Sequence, residues 1–95
     1  MQQITLTSKL ENRGHYVPGM ISGDKLYISG QLPVHHETGS PMADSIEQQT
    51  RDALHNVERV LLAAGCTKED VVLCRVYIPD VAAWDTVNAV YAAFF

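Results

Sequence analysis

An α+β fold is predicted for this chain, a mixed β-sheet with two helices packed on one face. Three observations predict it. Short β-branched and aromatic runs separated by turn residues fill the chain before Pro33. An apolar stripe at helical spacing runs from Asp44 to Ala64. A near-continuous β-branched run, Val71 to Ile78, then leads into a second helical pattern.

The elements follow in order. Gln3 to Thr7 reads as a short strand, and Arg13 to Gly19 as a loop holding Tyr16 and Pro18. Met20 to Ser29 reads as a hairpin whose two runs flank the turn-forming Ser22-Gly23-Asp24. Gly39, Ser40 and Pro41 enforce a polar connection from Val34 to Met42. In the first helix Ile46, Thr50, Ala53, Leu54, Val57, Val60, Leu61 and Ala64 share one face. Asp44 with Glu47 gives it a capping-box-like start, and Gly65 a left-handed stop. Val71 to Ile78, ended by Pro79, has the composition of a strand buried on both faces and central in a sheet, with Arg75 near a sheet surface or subunit contact. Asp80 caps the second helix, whose apolar positions are Val81, Trp84, Val87, Tyr91, Phe94 and Phe95.

Composition bounds the partners. The 95 residues make one domain, 46% apolar and 19% charged, as in a folded globular chain. No apolar run approaches the ~20 residues of a membrane helix, so no membrane partner is expected. The N-terminus does not read as a signal peptide, and the cytoplasm is the expected location. A net charge of −4, with Arg13, Lys25, Arg51, Arg59, Lys68 and Arg75 scattered among 11 carboxylates, argues against a nucleic-acid partner. Cys66 and Cys74 form no metal-ligand pattern, and Cys74 reads as a buried free thiol. His35 and His36 are adjacent, so on an extended segment they point opposite ways and read as loop histidines. No metal is expected.

The step Ser29-Gly30-Gln31 at the end of a strand places a hydroxyl, a stretch of bare backbone and an amide together. A glycine there lets another group approach the main chain closely. Asn88 falls four residues after Trp84 and three before Tyr91, on the apolar stripe of the second helix. An amide buried there needs partners, or costs about 1–3 kcal/mol.

Taken together, Gly14-His15-Tyr16, Ile28-Ser29-Gly30-Gln31-Leu32-Pro33, Asn56-Val57 through Ala63-Ala64-Gly65, and Val87-Asn88-Ala89-Val90-Tyr91-Ala92-Ala93-Phe94-Phe95 resemble the reactive intermediate deaminase (Rid, YjgF-like) family. The match is collinear over essentially the whole chain. The resemblance implies a chorismate-mutase-like fold, a homotrimer with clefts between subunits, and no cofactor. It also implies hydrolysis of reactive 2-imino acids and enamines to 2-keto acids and ammonia. On this resemblance Tyr16 and Asn88 are the catalytic candidates, while Ser29, Gly30, Gln31 and His15 are the substrate-binding candidates. Ser29 has no His and Asp at recognisable positions, so it reads as an orienting hydroxyl and not a nucleophile. Imine hydrolysis asks only for orientation, a protonated nitrogen and a placed water.

The chain departs from the family's G-P-Y-x-Q pattern, with His15 and Pro18 in place of Pro and Gln. The family's later C-terminal segment supplies a carboxylate-binding arginine and a water-positioning glutamate, and neither has a counterpart here. The second helix ends on Tyr-Ala-Ala-Phe-Phe without a C-cap signal, and about four strands fall short of a usual sheet. The expectation is therefore a single family domain over 1–95, truncated at its C-terminus, with one more strand pair to follow. A non-catalytic module that binds a 2-keto acid is the alternative reading. Endoribonuclease or translation-inhibitor activity ranks below both because of the acidic balance.

Overall fold

The computed structural model describes residues 1–10 and 17–95. The element order is β1 (Gln2–Ile4), β2 (Gly19–Ser22), β3 (Lys25–Ile28), α1 (Ile46–Ala63), two short 3₁₀ turns (Lys68–Asp70 and Val81–Ala83) and α2 (Trp84–Phe94). The α+β expectation is met. The sheet, expected to be mixed, is corrected: among the described residues it has 3 strands in the order β1-β2-β3 with both pairings antiparallel, and the tight turn between β2 and β3 can join only antiparallel neighbours.

The hairpin forms where its turn residues place it. Ser22 pairs with Lys25 across Gly23-Asp24, and Gly23 takes a φ of 62°. A positive φ at the first central residue gives the turn the twist its flanking strands need. Along β3 exposure alternates, with Leu26 and Ile28 turned inward and Lys25 and Tyr27 outward.

Helix α1 carries half of the described apolar core. Leu54, Val60 and Leu61 are buried, together with Ile4 from β1 and Val87 and Val90 from α2. The expected apolar face is the one that turns inward. Its start differs from expectation: Ser45, not Asp44, is the N-cap, its Oγ accepting from the Gln48 amide at 3.1 Å. Serine reaches the third helical amide from this position, and the Gln48 side chain turns instead to Asp52 at 2.9 Å. The stop is as expected. Gly65 has a φ of 78°, with Gly65 N donating to Leu62 O at 3.1 Å and Cys66 N to Leu61 O at 2.8 Å. This pair of bonds is the Schellman arrangement.

Two expectations for the C-terminal part are corrected. Among the described residues Val71 to Ile78 is not a central strand: it forms no ladder there, and Val72 and Tyr77 are 99% and 85% exposed. β-Branched composition makes a segment suitable for a sheet, but a strand exists only where a second backbone satisfies its amides and carbonyls. No such backbone lies alongside it among the described residues. Arg75 on this segment is exposed, and Cys74 is a half-buried free thiol. Burial, with the Cys74 thiol hydrogen-bonded beside it, pushes the Tyr91 hydroxyl's pKa up, so this side chain links the segment to α2.

The second correction concerns the face of α2. Asp80 does cap the turn leading into the helix, Oδ1 accepting from Ala82 N at 2.9 Å. The buried positions, however, are Val87 and Val90, with Tyr91 and Phe94 half-buried. Val81 is 83% exposed, and Asn88 lies on the exposed side. The stripe runs 87-90-91-94, and a residue directly after a buried one is rotated about 100° away from it. At the helix end the Lys68 ammonium sits 4.5 Å from the centre of the Phe94 ring. No helix of the described residues is long and apolar enough to cross a membrane.

Sheet and helix meet at Gly19. A Cβ built there would lie 2.9 Å from Val60 Cγ1, on a side chain with no solvent exposure. The structure thus puts the close backbone approach at Gly19, whereas a Cβ at Gly30 would meet nothing within 4 Å. Gly19→Ala is expected to destabilise the domain by about 1–3 kcal/mol, because a β-branched side chain in a packed core has little room to yield. Urea unfolding of Gly19→Ala, Val60→Ala and the double variant checks this. Costs that simply add, with no coupling between the two sites, would contradict direct contact.

Candidate functional site

The Ser29-Gly30-Gln31 step leaves the end of β3 and is held on both sides. On the strand side Ser29 N donates to Pro18 O at 3.0 Å, and Ser29 Oγ donates to Val17 O. The hydroxyl proton is therefore engaged by backbone, and what Ser29 offers a ligand is its oxygen as an acceptor. Gln31 Nε2 reaches back to Ser29 O at 3.0 Å, so the amide braces the strand exit. On the far side Asn56 Nδ2 donates to Leu32 O and to Val34 O, both at 2.8 Å. Gly30 lies between these anchors, exposed and open on the side where a Cβ would stand.

Asn56 is a residue beside this step that the sequence motifs passed over except as part of a family match. It is the buried polar residue of the described core, 2% exposed. Its signal was available: an amide four residues before Val60 on the inward face of α1 must hydrogen-bond something across the interface. That something is the backbone directly after the candidate site.

The loop beyond Val34 is tied to α1 and to the segment after β1. His35 Nε2 lies 3.3 Å from Asp52 Oδ2 without the alignment of a hydrogen bond. Glu37 Oε1 receives His55 Nε2 at 3.1 Å and Arg59 Nε at 2.9 Å, and the Arg59 fork also donates to Thr7 O at 2.9 Å. Lys9 N donates to His36 O at 2.8 Å, and Ser8 Oγ meets His36 Nδ1 at 2.7 Å. His35 and His36 are loop residues, as expected, and each has its own separate partner. A small polar cavity of about 40 Å³ lies against this cluster, lined by Val34, His35, Asp52 and Asn56 among others.

Charge follows from these contacts. The hydrogen bond from His55, with Arg59 nearby, holds the Glu37 carboxyl below the usual carboxylate range. Burial, helped by the Arg59 guanidinium and opposed by Glu37, pulls His36 below the usual 6.5. Among the described residues no group of 3 or more His, Cys, Asp or Glu could hold a metal ion.

Two expected site residues, His15 and Tyr16, lie outside the described residues. Asn88 does not join the step within one chain: it is exposed on α2, and no hydrogen bond among the described residues links it to Ser29, Gly30 or Gln31. A groove of about 650 Å³ between α1 and α2 is floored by Leu54, Ala89, Val90 and Ala93 and includes none of the candidate residues.

Comparison with known proteins adds the following. The family model described as Endoribonuclease L-PSP matches residues 6–95. A RutC family protein of Saccharolobus solfataricus is 38% identical over 96 residues, covering 100% of this chain and 76% of its own length. The 2-iminobutanoate/2-iminopropanoate deaminase of Escherichia coli is 42% identical over 82 residues, covering 86% of this chain. The chain spans 63% of that deaminase's length. The crystal structure of Escherichia coli TdcF with bound serine superposes with a TM-score of 0.92 at 33% identity, over 100% of this chain and 74% of that one.

The depressed His36 has a consequence for pH dependence. Its folded pKa lies below its unfolded value, so the unfolded chain binds the proton more readily. Its contribution to stability is complete above the usual 6.5 and is lost as the pH falls toward the folded value. Denaturant unfolding at about pH 7.5 and about pH 5.5 is expected to show a larger acid loss for the wild type than for His36→Asn. Equal losses in the two proteins would contradict this assignment.

Proposed function

The chain belongs to the Endoribonuclease L-PSP family, and from that premise we propose that it is a hydrolytic deaminase of reactive 2-imino acids and enamines. In the reaction water adds to the carbon of a protonated imine. The C–N bond of the resulting carbinolamine then breaks, giving a 2-keto acid and ammonium. No strong nucleophile is needed, because the protonated imine is itself electrophilic. The work left to the protein is orientation and exclusion of competing poses.

The observation that carries this reading is Gly30: a backbone position fixed on either side and bare toward open space. A small planar substrate can lie against such backbone, accepting or donating at its amide and carbonyl, with the Ser29 oxygen as a neighbouring acceptor. Gln31 keeps the step rigid and does not reach outward. Tyr16 and His15 complete the proposed site from the preceding loop. Asn88 joins it from a second copy of the chain: its exposure on α2 supports a place in a cleft between subunits, within a homotrimer. Exposed Tyr27, Leu32 and Trp84 support assembly in the same way, since a lone copy leaves them wet. Residues 1–95 then act as one domain of the family, and the unpaired run from Val71 to Ile78 supports a sheet that takes up further strands.

A second reading, a binding module for a 2-keto acid without turnover, is favoured by one observation. The Ser29 proton is already given to Val17 O and is not free to assist a leaving group. RNA cleavage, the activity the family's description names, fits less well with a net charge of −4.

The test uses an amino-acid oxidase to generate 2-iminobutyrate and semicarbazide to trap what remains. The protein at micromolar concentration is expected to lower the trapped product. Gly30→Ala is expected to remove that effect while leaving stability unchanged or raised by about 0.4–1 kcal/mol, since the added methyl meets only open space. Undiminished trapping in the wild type, with saturable 2-ketobutyrate binding, selects the binding module. Undiminished trapping without binding rejects both readings.

A further inference from the structure

We infer that Asn56 is the positioning residue of the Ser29-Gly30-Gln31 step, setting from inside α1 how the Gly30 backbone faces its ligand. The inference rests on the deaminase reading of that step and goes beyond it, since Asn56 touches no ligand and belongs to no catalytic motif.

The argument begins with the amide's inventory. An asparagine has two N–H donors on one nitrogen, and here both are used, on Leu32 O and Val34 O. Two carbonyl partners fix which end of the amide is nitrogen, because oxygen there would face oxygen. The chain bends at Pro33, and the carbonyls on either side of it, those of Leu32 and Val34, both reach one NH₂ group. Pro33 itself has no N–H to compete for either carbonyl. The Leu32–Val34 segment is thereby clamped to the helix as one unit.

The clamp sits next to the site and faces away from it. Ser29 is fixed to the segment before β2 through Val17 and Pro18, and Leu32 is fixed to α1. The two residues between them, Gly30 and Gln31, have their ends pinned to different parts of the fold. The torsions of Gly30, which no side chain restricts, are then set by the separation of those two pins. Loosening the α1 pin leaves Ser29 in place and frees the peptide planes on either side of Gly30.

The other loop tethers lie further out. Gln49 Nε2 holds Ala43 O at 2.7 Å, at the opposite end of the same connection. Gln49 makes the same type of bond from the same helix, so it serves as a control for loop docking as such.

The experiment measures KM and kcat separately in the semicarbazide assay for the wild type, Asn56→Ala, Asn56→Ser and Gln49→Leu. A residue that only stabilises the fold changes the amount of active protein and lowers apparent kcat without moving KM. A positioning residue moves KM. Asn56→Ala is expected to raise KM about ten-fold, Asn56→Ser, which keeps one short donor, less than that, and Gln49→Leu not at all. If Asn56→Ala does not fold, the KM of Asn56→Ser decides. Unchanged KM in the folded Asn56 variants overturns the inference, as does an equal rise in Gln49→Leu or failure of both Asn56 variants to fold. Where the wild type binds 2-ketobutyrate without turnover, the same series is read as Kd with the same expectations. A wild type that neither turns over 2-iminobutyrate nor binds 2-ketobutyrate overturns the deaminase reading and this inference with it. A functional wild type with unmoved variants overturns this inference alone.

Discussion

The inward face of α1 is the constraint to which the rest of the molecule is registered, with Val60 seated directly against Gly19. A three-stranded antiparallel sheet with strands this short has little stability of its own. It persists because a helix lies against it closely enough to exclude a Cβ. From that contact the other positions follow at helical spacing. Asn56, one turn earlier on α1, meets the chain leaving β3. Leu54 and Leu61 meet the side on which α2 packs, where Val87 and Val90 complete the core. Fully burying a valine contributes about 1.5–3 kcal/mol, so in a core of so few residues the loss of one contact is felt throughout.

The loop between β3 and α1 is ordered by a different kind of force. Its contacts are polar: the Asn56 clamp, the His55 and Arg59 contacts to Glu37, and the His36 bonds to the segment after β1. Glu37 is exposed, so its ion pairs are screened and contribute little to net stability. Asn56 is buried, and losing either carbonyl partner would leave one of its amide N–H groups unsatisfied. The firm end of the loop is thus the end beside Gly30, and the firmness falls off toward the exposed turn at Gly39. A site on such a loop is rigid where ligand contact is proposed and tolerant where it is not.

How much of this was legible in the sequence depended on whether a signal was local. The α1 stripe, the Gly65 stop, the Gly23 turn and the Asp80 cap are each set by residues within a few positions, and all appear where the pattern puts them. The choice of Ser45 over Asp44 as cap turned on one residue of register. The failures are non-local. Val71 to Ile78 has the composition of a buried strand, but pairing requires a partner that composition cannot supply. Asn88 was placed on the wrong face because Trp84 was taken as the head of the stripe, while Val87 and Val90 define it. The tight packing against Gly19 was not foreseen, because which glycine meets a helix depends on how two distant elements dock.

The same distinction bears on the site. Ser29, Gly30 and Gln31 were recognisable as a step with unusual backbone access, but their individual roles were not. The Ser29 hydroxyl is given to Val17, the Gln31 amide turns back to Ser29, and the bare backbone at Gly30 is open. What a ligand meets is therefore mostly main chain. Backbone groups suit a reaction whose substrate brings its own electrophile: they fix a planar molecule by geometry and add no charge that would bias the protonated imine. A site of this kind depends less on the chemistry of its side chains than on whatever fixes its torsions, and the hydrogen bonds that fix them come from Val17, Pro18 and Asn56.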